Sequence, residues 1–271
     1  MNTPHDMDTP HDIAVEAREL SKVFGAFRAV DSISLQVRRG EIFGFLGANG
    51  AGKTTAIRMF CGLLPPSGGS ARVAGFDVAT QARAIKQNIG YMSQKFSLYE
   101  DLTVAENIEF YGGVYGLSRD DIRSTTARLL DELQLGHQRD TLTRALPLGW
   151  KQRLALSASL MHRPSIIFLD EPTGGVDPIS RRNFWRVIHD LAAAGTTVFV
   201  TTHYMDEAEY CERISIMYQG RIIDMGSPSE LKRRHGKRSM QDVFVHLVNE
   251  PAAAQAMAPQ ALAAQGTGGA A

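Results

Sequence analysis

Gly47-Ala48-Asn49-Gly50-Ala51-Gly52-Lys53-Thr54 fits the pattern G-x-x-x-x-G-K-[ST], a loop that wraps a nucleotide's phosphates. The apolar run Ile42-Phe43-Gly44-Phe45-Leu46 leads into it, and a helical pattern from Thr54 to Cys61 follows. That is the strand–loop–helix setting the motif needs. The glycines let the backbone turn so that successive N–H groups point at phosphate oxygens. The helix that opens near Lys53 adds the positive end of its dipole. Lys53 is placed to bridge β- and γ-phosphates. The Thr54 hydroxyl, with Thr55 beside it, is placed to ligate Mg²⁺.

The chain has 271 residues, enough for one large α/β domain or two smaller ones. Lys and Arg total 29, as do Asp and Glu, so the net charge is zero, which argues against a strongly basic nucleic-acid binder. Cys61 and Cys211 sit in apolar patterns without metal-ligand spacing and read as buried thiols, which suits a reducing cytosol. No apolar run approaches the roughly 20 residues of a membrane span.

Residues 1–12 repeat Thr-Pro-His-Asp and read as a disordered leader, and residues 251–271, rich in Ala, Gln and Gly, read as a flexible tail. Between them lies a single expected domain, residues 13–250. Short strand-like runs at Ser32–Val37, Glu41–Leu46, Ala71–Val73 and Ile89–Met92 give way to helical patterns at Val104–Tyr115 and Asp120–Leu135. Strands return at Ile166–Leu169, Thr197–Thr201 and Ile214–Tyr218. A helical insert over about residues 95–164 thus interrupts an α/β core.

Ile166-Ile167-Phe168-Leu169-Asp170-Glu171 reads as a central parallel strand, apolar on both faces and ending in two carboxyl groups. Ligands of such sheets bind at the carboxyl ends of the strands. Asp170 would sit there to hold Mg²⁺ through water, and Glu171 could accept a proton from an attacking water. Thr197-Val198-Phe199-Val200-Thr201-Thr202-His203 ends another strand, from which His203 could reach a γ-phosphate.

In this order the motifs resemble the nucleotide-binding subunit of an ABC transporter, over about Ile13 to Val248. The resemblance implies a P-loop NTPase core with a mostly parallel sheet, an N-terminal antiparallel β part and the helical insert. It implies ATP and Mg²⁺ as ligands. Phe24 matches the aromatic that stacks on adenine. Gln94, in Tyr91-Met92-Ser93-Gln94, matches the hinge glutamine that senses Mg²⁺ and the γ-phosphate. Asp177, in Gly174-Gly175-Val176-Asp177-Pro178, resembles the aspartate that crosses a dimer interface, and His203 the switch histidine. A membrane helix would dock near Lys95–Thr103, with Phe96, Leu98 and Tyr99.

One motif departs from the family pattern. Where Leu-Ser-Gly-Gly-Gln is usual, the chain has Leu146-Pro147-Leu148-Gly149-Trp150. Pro147 removes a hydroxyl donor and a backbone N–H, a loss of about 1–3 kcal/mol of contact to a charged oxygen. The N–H groups of Leu148 and Gly149 survive. The chain therefore either closes a working site with a variant signature or serves a heterodimer in which one site is degenerate.

The resemblance implies an ATP-hydrolysing subunit at the cytoplasmic face of a membrane. It would pair with a second ATP-binding subunit and power export through a separate membrane-spanning permease. The segment Met240–Leu247 resembles the tails of drug- and polysaccharide-export subunits. The alternatives are a soluble ABC ATPase acting on ribosomes or nucleic acid, and a nucleotide-gated subunit of low turnover. The neutral charge weakens any role on nucleic acid.

Overall fold

In the computed structural model, which describes residues 13–95 and 97–257, the chain starts with two long antiparallel strands, β1 (Ile13–Phe24) and β2 (Phe27–Arg38). Next come β3 (Ile42–Leu46), α1 (Lys53–Phe60), β4 (Gly68–Val73), β5 (Phe76–Asp77), α2 (Ala82–Asn88) and β6 (Ile89–Met92). Three α-helices lie in the stretch before the next strand: α3 (Val104–Val114), α4 (Arg119–Glu132) and α5 (Leu148–Leu160), with two short 3-10 turns between the last two. The chain then alternates β7 (Ile166–Asp170), α6 (Pro178–Ala193), β8 (Thr197–Thr202), β9 (Arg213–Tyr218) and β10 (Arg221–Gly226), and ends in α7 (Pro228–Arg234) and α8 (Met240–Met257). The expected leader, residues 1–12, lies outside the described residues, as do Phe96 and residues 258–271. The expected tail begins inside the last helix. Helix α8 runs on through residues 251–257.

Six strands form one sheet in the order β10-β9-β3-β8-β7-β6, parallel except for the β10–β9 pair. A second sheet, β2-β1-β4-β5, is antiparallel. This is the P-loop core with its antiparallel β part and helical insert.

The apolar runs of the central strands alternate between two cores because side chains along a strand point to opposite faces. Ile42, Leu46, Ile167, Leu169, Val198 and Val200 face the helices of the insert and the C-terminal part. Phe43, Phe45, Phe168 and Phe199 face α1 and the antiparallel sheet. There the Phe45 and Phe199 rings meet edge-on at 4.9 Å, and Phe168 lies 5.3 Å from Phe199. Both cysteines are buried free thiols.

Local chemistry places the insert. Thr103 and Glu106 form a reciprocal capping box at the start of α3, and Ser118 caps α4. The buried Asn107 side chain accepts from the Tyr99 N–H at 2.9 Å and donates to the Thr143 hydroxyl at 2.9 Å, which pins the loop before α3. Among the described residues no helix is long and apolar enough to cross a membrane.

Candidate active site

The parallel register brings the carboxyl ends of β3, β6, β7 and β8 to one edge, and each predicted group of the site except the adenine aromatic and the signature stretch follows one of these ends. After β3 the loop turns back tightly. A side chain at Gly47 would lie 2.4 Å from the Met217 carbonyl, and Gly52, at φ +106°, leaves only 2.4 Å to the Ala29 carbonyl. Neither position tolerates a Cβ. Gly52 is the N-cap of α1 and offers no side-chain cap, so the first N–H groups of the helix remain open to an anion. Ala51 is buried, and its carbonyl accepts from the Gly220 N–H at 3.0 Å.

Lys53 is 4% exposed. Its ammonium donates to the Gly47 carbonyl at 2.7 Å and the Ala48 carbonyl at 3.1 Å, and lies 3.2 Å from Glu171 Oε1. The other Glu171 oxygen accepts from Gln94 Nε2 at 3.0 Å and meets His203 Nδ1 at 3.1 Å. Glu171 therefore gathers three predicted partners from three different loops. Its backbone adopts φ +49°, a left-handed conformation, and its N–H donates to the Thr201 hydroxyl at 2.9 Å. Strain at a β7-to-loop junction is held there by the surrounding contacts.

Asp170 is 1% exposed and accepts from the Thr54 hydroxyl at 3.0 Å and the Thr201 hydroxyl at 2.8 Å, both on Oδ1. Burial pushes its pKa up, and the two threonine bonds only partly counter this. A buried carboxyl beside a hydroxyl is a hard oxygen donor pair, and a divalent cation would relieve its desolvation. The pair fits Mg²⁺, which keeps most of its positions for water and phosphate.

A cavity of about 300 Å³ opens over this cluster, lined by Asn49, Gly50, Gly52, Lys53, Thr54, Thr55, Gln94 and Glu171. Phe27 also lines it; Phe24, the predicted adenine partner, does not. The two are cross-strand partners at the β1–β2 turn. Phe24 is 49% exposed, with the Lys22 ammonium 5.3 Å from its ring centroid. The spacing of the two aromatics around Gly25-Ala26 was the available signal for Phe27. Thr201 was signalled by the pair of threonines that closes the apolar run of β8.

The signature stretch lies elsewhere, and none of Leu148, Gly149 or Asp177 lines the cavity. Pro147 is the N-cap of α5 rather than part of its first turn, and it gives no side-chain cap. A Cβ on Gly149 would stand 2.9 Å from Ser180 Oγ, and one on Gly175 3.4 Å from Leu148 Cδ2, so this stretch packs on the start of α6 and the loop that leads to it. Leu148 remains 43% exposed. Asp177 caps α6, accepting from the Ile179 and Ser180 N–H groups at 3.0 Å, and the bonds to Ser180 lower its pKa most. Trp150 packs against the Arg153 guanidinium, 4.8 Å from its ring, and edge-on to His137. From the same helix, the buried Gln152 amide donates to the Pro172 carbonyl at 2.5 Å, which ties α5 to the loop behind Glu171.

Comparison with known proteins points the same way. The chain is 48% identical over 247 residues to the Escherichia coli protein named "Probable multidrug ABC transporter ATP-binding protein YbhF", covering 89% of this chain and 43% of that protein. It thus spans less than half of that relative's length. It is 41% identical over 236 residues to the "Daunorubicin/doxorubicin resistance ATP-binding protein DrrA" of Streptomyces peucetius, covering 87% of this chain and 72% of that one. A solved ATP binding subunit of an ABC transporter superposes with a TM-score of 0.78 at 27% identity, covering 87% of this chain and 99% of the other. Residues 30–174 match the ABC transporter family, and the chain belongs to it.

Proposed function

We propose that this chain is an ATP-binding and ATP-hydrolysing subunit that powers export through a separate membrane-spanning permease at the cytoplasmic face of the membrane. The observation that carries the reading is the convergence of Lys53, Gln94 and His203 on one buried carboxyl, Glu171. A triphosphate entering the cavity competes with Glu171 for the Lys53 ammonium. Glu171 is then free to take a proton from water held against the γ-phosphate, with Gln94 and His203 keeping its orientation. Lys53 and the open N–H groups of the loop stabilise charge on the phosphate oxygens. Thr54 and Asp170 would hold Mg²⁺, which supplies further charge neutralisation when bound. Phe24 receives the adenine at the cavity rim, with Phe27 beside it.

Leu148, Gly149 and Asp177 lie outside the cavity. They serve a nucleotide held by a second ATP-binding subunit, whose own signature completes the site here. Loss of the γ-phosphate then opens the clamp and moves the permease. The names of the relatives point to drug export.

Glu171→Gln tests the reading. Steady-state phosphate release should fall about 10²–10⁴-fold while ATP binding persists. Near-normal turnover in that variant would remove Glu171 from the chemistry. Co-purification from detergent-solubilised membranes separates a transport subunit from a soluble ATPase, because only the former brings down a polytopic partner.

A further inference from the structure

Glu207 takes no part in the chemistry above, yet it is fully buried. It opens a short 3-10 turn, Glu207–Tyr210, that follows β8. Each carboxyl oxygen takes one hydroxyl. Thr173 Oγ1 donates to Oε1 at 2.5 Å, and Thr202 Oγ1 donates to Oε2 at 2.6 Å. Both threonines are buried. Thr173 stands just beyond Glu171, and Thr202 immediately precedes His203. The carboxyl thus bridges the loop that carries the water-activating group and the loop that carries the γ-phosphate contact.

A third element joins them. Arg181 Nε, from the first turn of α6, lies 3.5 Å from Glu207 Oε1. The Arg181 guanidinium covers the Tyr204 ring at 4.1 Å, and that ring lies 4.2 Å from the His203 imidazole. The Tyr204 N–H donates back to the Thr202 hydroxyl at 3.0 Å. Helix α6 is the one that Asp177 caps. Burying a carboxyl costs free energy unless its oxygens are bonded, and an apolar side chain would fill the same space without that cost. What leucine would not provide is a simultaneous hold on two loops.

We propose that Glu207 is a positioning residue: it keeps Glu171 and His203 at one separation while both act on the same γ-phosphate, and Arg181 passes that constraint to the Asp177 end of α6. The proposal rests on the ATP-hydrolysing reading. It predicts a loss in the rate of the chemical step without a loss in ATP binding, because neither Glu207 nor its threonines reaches the cavity.

The test uses the full chain with Glu207→Gln, Thr202→Val and Thr173→Val, measuring steady-state ATP hydrolysis, melting temperature and the His203 imidazole resonances of the nucleotide-free chain. Valine matches threonine in shape and suits a strand, so Thr202→Val carries the test if Glu207→Gln does not fold. Glu207→Gln and Thr202→Val should lower kcat about tenfold or more, as expected for a reacting group shifted slightly out of place. KM for ATP should stay within about twofold. Both should shift the His203 resonances, and the double variant should lose little more than either single one. A wild-type kcat in these variants, unmoved His203 resonances, or a kcat that simply follows the melting temperature would overturn the proposal. A wild-type chain with no turnover would count against the ATPase reading instead, and the His203 resonances would still decide the role of Glu207.

Discussion

Asp170 accepts hydrogen bonds from Thr54 and Thr201, yet burial outweighs them and lifts its pKa above the ordinary 3.8, with the neighbouring Glu171 charge adding to the rise. A raised carboxyl pKa means that the folded chain holds this proton more tightly than the unfolded one. The stability from this group is present below the unfolded value and is lost as pH climbs through the raised folded value. The buried carboxyl therefore works against the nucleotide-free fold as pH rises above the unfolded value. Asp170→Asn should melt higher than the parent at pH 7 without nucleotide, the gap should close below about pH 4, and Mg²⁺-dependent ATP binding should be lost. A thermal scan across pH checks this, and a lower melting temperature at pH 7 would contradict it. Lys53 was legible in the sequence from the phosphate-loop pattern that precedes α1, and Asp170 and Glu171 from the apolar run of β7 that ends in two carboxyl groups. Phe27 and Glu207 were not. Phe27 reaches the cavity through a hairpin pairing, and Glu207 acts through two threonines that are distant or ordinary in the sequence.

The central strands were readable because burial on both faces leaves unbroken apolar runs, as in Ile166–Leu169 and Val198–Val200. Elements with polar faces hid. Strand β1 extends over Ile13–Phe24 with register shifts that blur its alternation, and β10 carries Arg221 and Asp224. The helical pattern Asp120–Leu135 overran its element. Helix α4 ends at Glu132, and Gln134 then adopts φ +56°, which turns Leu135 into the core from outside the helix. Apolar spacing does not report such a left-handed stop. Helix starts were written more plainly: Thr103 and Glu106 are a capping pair at the right interval. Thr103→Ala removes one half of that box, the hydroxyl that accepts from the Glu106 N–H at 3.2 Å. It should destabilise the fold by about 1 kcal/mol. Urea unfolding is the measurement, and an unchanged midpoint would show that the start of α3 is held by Asn107 and the backbone bonds of Val104 and Ala105 without the capping box.

Across the whole molecule the signature stretch contributes no residue to the cavity, and on the proposed reading each nucleotide is closed by a second ATP-binding subunit, whose kind Pro147 tests. It sits exposed at the start of α5, where serine would supply a hydroxyl. Within one chain Pro147→Ser changes little. A serine N-cap adds about 0.5–2 kcal/mol, while losing proline frees the unfolded chain and returns about 0.4–1 kcal/mol. The melting temperature should therefore hardly move. On the proposed reading the same hydroxyl would face a partner's γ-phosphate, where a hydrogen bond to a charged group contributes about 1–3 kcal/mol. Combined with Glu171→Gln to prevent turnover, Pro147→Ser should tighten ATP-dependent self-association about tenfold or more. Light scattering with and without ATP measures it, and Lys53→Ala serves as the control that should not associate. Tighter association means that two copies of this chain form the clamp and that the proline signature is a working but weaker contact. Association unchanged by the serine means that this stretch does not meet a nucleotide in the homodimer. On the proposed reading the second ATP-binding unit is then a different one, whose own signature completes the site built around Glu171.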